Sequence, residues 1–139
     1  MEGVQMLAYC GGTFDLLHPG HVRMLKWAKE SFGHVIVAVN TDDFVTRYKA
    51  KPAQTLHERM EMLEACKYVD EVIVYNTEAE LYALLQKLNP DVRFIGADWK
   101  GKEFTGHDLP IPVIFNSRDH EYSSSDLRKR IYEAEKQRN

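Results

Sequence analysis

The passage from a buried strand to a helix start constrains this chain most. Val4-Gln5-Met6-Leu7-Ala8-Tyr9-Cys10 reads as a buried strand. Downstream, Pro19 suits a first helical turn, because proline lacks an N–H that would be orphaned there anyway. The strand is expected to end just before Gly11 and Gly12. A helix follows over roughly Gly20 to Phe32, with Val22, Leu25, Ala28 and Phe32 on one face, and then a second strand, His34-Val35-Ile36-Val37-Ala38-Val39-Asn40. A strand-helix-strand unit predicts parallel pairing with a right-handed crossover, and open parallel sheets take their ligands beyond the carboxyl ends of the strands. The stretch Gly11 to His21 begins at that end.

The alternation continues along the chain. Thr41 to Gln54 is polar and basic and is expected to form a loop with one short helical turn, ahead of a helix over Leu56 to Cys66. Glu71 to Tyr75 reads as a third strand, Glu78 to Leu88 as a helix and Val92 to Gly96 as a fourth strand, with Val69, Val72 and Val74 in the core. Ala97 to Pro110 is a long loop rich in Gly, Lys and Asp, followed by a strand at Val113 to Phe115 and a helix over Asp126 to Glu135. No repeat, low-complexity tract or linker interrupts residues 1–139. The expected architecture is therefore one α/β domain, a Rossmann-like parallel five-stranded sheet flanked by helices.

Composition narrows the partners. With 44% hydrophobic and 28% charged residues, 139 residues suffice for one continuous core. A net charge of −3, with bases and acids intermixed, gives no field that favours nucleic acid. Cys10 and Cys66 lack metal-ligand spacing and read as reduced thiols in apolar surroundings. The amino terminus has no basic-then-apolar signal pattern and no apolar run spans a bilayer, so a cytoplasmic protein without membrane partners is expected.

The chemistry concentrates in Gly11 to His21. Gly11 and Gly12 let the backbone approach a ligand, Thr13 adds a hydroxyl, and the amides of the helix start face an anion. His18 and His21 lie one helical turn apart, so both imidazoles can face the same phosphate. Neutral or protonated, they can stabilise charge that develops on phosphate oxygens when an α-phosphorus is attacked. An isolated histidine pair would read more simply as a capped surface helix; the strand, Gly-Gly-Thr and Pro-Gly around this pair favour phosphate.

Gly12-Thr13-Phe14-Asp15 followed by His18-Pro19-Gly20-His21 resembles the signature of the nucleotidyltransferases related to glycerol-3-phosphate cytidylyltransferase, in which G-T-F-D leads into H-x-G-H. Class I aminoacyl-tRNA synthetases share H-x-G-H but need further tRNA-binding domains, for which 139 residues leave no room. Four other segments match in order. Asn40-Thr41-Asp42-Asp43-Phe44 is similar to the family's S/N-T-D-E-F; Asp42 contacts substrate or caps the next turn, and Lys49 or Lys51 supplies the loop lysine that binds phosphate. Arg59 matches a family arginine, and Lys67 stands where an arginine usually precedes Y-V-D-E-V, so a single ammonium contact replaces a guanidinium fork.

Gly96-Ala97-Asp98-Trp99-Lys100-Gly101-Lys102 is similar to G-D-D-W-x-G-K of the glycerol-3-phosphate enzymes. It implies that Gly96 and Asp98 meet base or ribose, and that Trp99 stacks on the acceptor or fills the core beneath the loop. Arg118-Asp119-His120-Glu121-Tyr122-Ser123-Ser124-Ser125 takes the place of R-T-E-G-I-S-T-T, keeping Arg118 and the hydroxyls but changing the middle. Ser123, Ser124 and Ser125 would hold nucleotide phosphate at a helix start that one of them also caps.

The resemblance implies attack by an acceptor phosphate on the α-phosphorus of CTP with release of pyrophosphate. His18, His21, Lys49 or Lys51 and Arg118 would act on the phosphates. Gly11, Gly12, Thr13, Phe14 and Gly20 would cradle the nucleotide, and Asp42, Arg59, Lys67 and Trp99 would meet the acceptor. Mg²⁺ would be held mainly by nucleotide phosphates rather than protein ligands. Glycerol 3-phosphate leads as acceptor because of D-W-K-G-K, and a homodimer is expected by analogy. The alternatives are adenylyl transfer from ATP to a sugar phosphate or FMN, and a regulatory nucleotide-binding module without turnover.

Overall fold

The computed structural model describes residues 5–96, 99–116 and 122–138. The elements run β1 (Met6–Gly12), α1 (Pro19–Phe32), β2 (Gly33–Asn40), α2 (Asp42–Thr46), α3 (Leu56–Glu64), β3 (Glu71–Tyr75), α4 (Glu78–Leu88), β4 (Val92–Gly96), β5 (Val113–Asn116) and α5 (Ser124–Lys136). The strands form one parallel sheet in the order β3-β2-β1-β4-β5. Chain order therefore reverses direction between β1 and β4, and a crevice opens at such a switch point beyond the carboxyl ends.

Contrary to expectation, β1 does not stop before the glycines. Gly11 pairs with Ala38 and Gly12 with Val39, because β2 continues to Asn40 and offers them partners. A side chain would crowd this end of the strand: a Cβ at Gly11 would lie 3.1 Å from the Tyr9 ring, and one at Gly12 would lie 3.3 Å from the Phe14 ring.

Alternation along β1 distributes the core to both faces of the sheet. Ala8 and Cys10 pack with Leu25 and Ala28 of α1, Leu63 of α3, and Val35, Val37 and Val39 of β2. Tyr9 faces the other way, with Ala38, Tyr75, Leu81 and Leu85. Burial pushes the Cys10 thiol up to about 12, and both cysteines are unpaired, Cys66 being half-buried. On α1, Leu25 and Ala28 are buried as expected, joined by Met24, while Val22 is only half-buried. Val69 and Val72 pack against the core, but Val74, two residues beyond Val72 on the same face of the edge strand β3, is 38% exposed. No helix among the described residues is long and apolar enough to cross a membrane.

Hydroxyl caps start the helices where the sequence places them. Thr41, Thr55, Thr77 and Ser123 accept the N–H of residues 44, 58, 80 and 126, and Thr55 with Glu58 completes a capping box. The last helix consequently begins at Ser124 rather than Asp126, directly after its cap.

Arg59 joins three segments. It lies one turn before Leu63 on the inward face of α3 and has no exposed surface. Its Nη1 donates to the carbonyls of Thr13 and Asn40, both at 2.9 Å, and its Nη2 meets the Asp42 carboxylate at 2.7 Å. The ends of β1 and β2 are thereby tied to α3. Removing the guanidinium would leave two buried carbonyls short of a donor, so Arg59→Ala is expected to lower unfolding stability by about 3 kcal/mol. Urea denaturation checks this: a smaller midpoint at unchanged slope is expected. Unchanged stability with weakened acceptor binding would make Arg59 a ligand contact instead.

Candidate active site

A cleft with two connected lobes opens at the carboxyl ends of β1 and β4. Their volumes are about 490 and 430 Å³, and Gly11, Gly12, Thr13, Val45, Lys49 and Gly96 line both. The first lobe also takes in Phe14, Asp15, His18, Gly20, His21, Ser123, Ser124 and Ser125.

The histidine pair is built by the helix start itself. His18 is the N-cap of α1, and its Nδ1 accepts the Gly20 N–H at 3.1 Å, while the His21 Nδ1 accepts the His18 N–H at 3.3 Å. The two rings stack with centroids 3.8 Å apart and planes at 22°. With each Nδ1 serving as an acceptor, the proton of each neutral ring sits on Nε2. Capping thus fixes the tautomer that presents an N–H on the far side of the ring from the helix backbone. Imidazoles take over the role that hydroxyl and carboxylate side chains play in an ordinary capping box.

The loop between β1 and α1 is backbone-strained and held from outside. Phe14 and Leu16 have φ of 53° and 54°, in the left-handed region that non-glycine residues seldom occupy. Asp15 between them is 4% exposed, and its carboxylate accepts the N–H of Ala53 at 2.8 Å and of Gln54 at 2.9 Å. Arg128 of α5 reaches the same carboxylate at 3.1 Å. The Ser124 hydroxyl donates to the Asp15 carbonyl, and the Gln54 side chain accepts the Leu16 N–H at 2.9 Å. One aspartate therefore ties together the signature loop, the segment after Lys49 and the start of the last helix.

The structure separates the candidate residues into two groups. Lys49 lines both lobes, whereas Lys51 is exposed and lines neither. Trp99 lines the second lobe and is 48% exposed, so it does not fill the core beneath the loop. Arg59 and Asp42 line neither lobe and pair with each other. Lys67 is also elsewhere, its ammonium 5.2 Å from the Tyr68 ring centre. Asp98 and Arg118 lie outside the described residues.

Sequence reading assigned no role to Asp15, Asn116, Tyr122 or Arg128, all of which line the first lobe. Arg128 was accessible to it: three residues beyond Ser125 on a helix, it shares the serine's face, and its Nη2 donates to the Ser125 hydroxyl at 3.1 Å. Asn116 enters only because β5 pairs beside β4, a long-range fact.

Comparison with known proteins agrees with this geometry. A cytidylyltransferase-like family profile matches residues 9–130, nearly the whole chain. The chain belongs to the cytidylyltransferase-like family. The chain is 34% identical over 121 residues to glycerol-3-phosphate cytidylyltransferase of Staphylococcus aureus, covering 87% of this chain and 91% of that one. It is 39% identical over 119 residues to FAD synthase of Thermococcus sibiricus, covering 77% and 80%. Against the bifunctional protein HldE of Campylobacter concisus it is 34% identical over 96% of its own length, but spans only 28% of that longer protein. The fold is shared with the lipopolysaccharide core biosynthesis protein from Thermoplasma volcanium, at a TM-score of 0.61 and 20% identity over 94% of this chain and 88% of that one.

Because His18 both caps and faces the cleft, two substitutions separate its roles. His18→Ala is expected to cost about 1 kcal/mol of stability through the lost cap and at least ~100-fold in nucleotidyl transfer. His18→Asn keeps a good cap, so its melting temperature should stay near wild type while transfer falls as far. Retained transfer in the asparagine variant would reduce His18 to a cap.

Proposed function

We propose that this cytidylyltransferase-like protein transfers CMP from CTP to a small phosphomonoester, with glycerol 3-phosphate the first acceptor to be tried. The observation that carries the reading is the stacked, mutually capped His18–His21 pair in a cleft at the switch point of the sheet. Two further facts support the choice of substrates. The Staphylococcus aureus glycerol-3-phosphate cytidylyltransferase is matched over nearly its full length. Trp99, from the segment resembling G-D-D-W-x-G-K, lines the second lobe.

An acceptor phosphate oxygen attacks the α-phosphorus, the bond to the bridging oxygen breaks, and its electron pair leaves on pyrophosphate. A phosphomonoester is already anionic near neutral pH, so no general base is required. Catalysis rests on in-line positioning and on donors directed at the charge that develops. The Nε2–H groups of His18 and His21 would donate to the α- and β-phosphate oxygens, and Lys49 would reach phosphate from the opposite wall. The amides at the start of α5 favour the triphosphate, with Arg128 beside them. Arg118 joins this set by resemblance.

Among the described residues no three His, Cys, Asp or Glu side chains gather as a metal site. In the first lobe the Asp15 carboxylate is engaged by two amides and Arg128. This donor set suits a Mg²⁺ that enters on the triphosphate and neutralises its charge, with ligands from phosphate and water. Assembly as a homodimer forms part of the same reading.

The FAD synthase relative favours a second reading, adenylyl transfer from ATP to FMN or a sugar phosphate. Pyrophosphate release with Mg²⁺, crossing CTP, ATP, GTP and UTP with phosphomonoesters, decides between them. Release with CTP and loss in His18→Ala is expected. Release confined to ATP would establish the second reading, and nucleotide binding without release under every pairing would leave a regulatory module.

A further inference from the structure

Tyr122 is the last residue before the N-cap of α5 and lines the first lobe, yet the transfer chemistry gives it no task. In R-T-E-G-I-S-T-T, which this segment resembles, an isoleucine holds that place. A tyrosine brings a flat ring where isoleucine has only a branched chain.

That ring runs nearly parallel to the ring of His18, with centroids 6.4 Å apart and planes at 20°, within the range of offset stacking. His18 therefore has two nearly parallel ring neighbours, Tyr122 and His21. Tyr122 in turn carries a cation on its face: the guanidinium carbon of Arg23, exposed on the second turn of α1, lies 5.1 Å from the ring centre. The backbone that follows Tyr122 is also held. Ser123 caps α5 by accepting the Asp126 N–H at 3.0 Å, the Ser124 hydroxyl donates to the Asp15 carbonyl, and Arg128 pairs with the Asp15 carboxylate. The ring is thus presented from a start of helix that is fastened to the signature loop.

His18 has need of such a neighbour. Its Nδ1 accepts the Gly20 N–H, which fixes one corner of the imidazole, but the outer torsion of a histidine is broad and one hydrogen bond does not lock it. Tilting about that corner would carry Nε2 away from a phosphate oxygen, and misplacement of a donor by a fraction of its bond length weakens what it gives to a transition state. Flat neighbours that run parallel to the ring oppose the tilt.

We propose that Tyr122 is a positioning residue for His18: its ring, steadied by Arg23 and by the capped start of α5, keeps the imidazole plane in the orientation that directs Nε2–H at phosphate. This rests on the nucleotidyl-transfer reading and adds to it a residue that touches His18 rather than the reacting atoms. It also links the two phosphate-binding helix starts, since the same turn that offers Ser123 to Ser125 to a ligand carries the ring that orients the histidine.

The test measures transfer by Tyr122→Leu, Tyr122→Phe and Arg23→Gln, and by Tyr122→Leu combined with His18→Asn, using the nucleotide and acceptor that support release. Tyr122→Leu should lower kcat about tenfold and leave the nucleotide KM within about twofold of wild type, as for a contribution made in the transition state. Tyr122→Phe keeps the ring and should rescue most of kcat, with Arg23→Gln between the two. Added to His18→Asn, the leucine substitution should cost nothing more, because no imidazole is left to orient. An unchanged kcat in Tyr122→Leu, a raised nucleotide KM with kcat kept, or an equal loss in both backgrounds overturns the proposal while leaving nucleotidyl transfer intact.

Histidine NMR reads the contact without turnover. In protein labelled with 15N-histidine and mixed with a CTP or ATP analogue carrying a methylene in its α,β bridge, the His18 Nε2–H resonance should be sharp in wild type and Tyr122→Phe and broadened in Tyr122→Leu. That pattern supports positioning even where no pairing releases pyrophosphate, in which case the transfer reading alone fails. A resonance equally sharp in Tyr122→Leu overturns the proposal. Wild type supplies an arm that no misfolded variant can confound: nuclear Overhauser contacts between the His18 and Tyr122 rings are expected, and their absence overturns the proposal as well. Thermal melting confirms that each variant is folded.

Discussion

The buried carboxylate of Asp15 is the interaction on which the site depends. At 4% exposure an uncompensated carboxylate would be expensive, but two backbone amides and the Arg128 guanidinium satisfy it. Its partners come from two distant parts of the chain, segment 53–54 and α5. It can be buried only if the loop after β1, the segment 53–54 and the start of α5 arrive together. The left-handed conformations at Phe14 and Leu16 are tolerable for the same reason, since the surrounding bonds over-determine the loop. Lys49, which lines both lobes, lies a few residues before the anchored segment 53–54.

Around that anchor, the sheet divides the labour. The order β3-β2-β1-β4-β5 places a crevice between β1 and β4, and Gly11, Gly12 and Gly96 form its shared floor. On one side lie the capped histidines and the serine-rich start of α5, groups that attract phosphate. On the other lie aromatic walls with Glu78 and Arg93 among them. A phosphoryl centre held over the glycines would have a charged wall on one flank and a stacking wall on the other. That arrangement suits a reaction joining a triphosphate to a second phosphorylated molecule.

Much of this was legible in local patterns. Helix α4 and strands β3 and β4 fall where periodicity places them, because each has a hydroxyl or turn residue at its edge and a regular apolar face. The histidine pair was legible because H-x-G-H on a helix start spans one turn. Errors arose where a long-range partner decided. β1 runs through its glycines because β2 continues beside them, and Val74 on the edge strand β3 is exposed although Val72 on the same face packs against the core. Arg59, which its place in a motif pointed toward the acceptor, and Asp42, read as a substrate contact or a cap, form an ion pair with each other, and Arg59 also donates to two carbonyls.

By itself the sequence determined the alternation of strands and helices, the positions of the caps and the chemistry available at the turn after β1. These depend on residues a few positions apart, whose geometry the periods of helix and strand already contain. Tertiary structure alone decided which cations reach the cleft, that Asp15 holds the site together, and that a second lobe with Glu78 and Asn40 exists. Those outcomes depend on which way each side chain points once five strands and their helices have packed. Spacing along the chain does not encode that direction, because it is set by contacts between residues far apart in sequence.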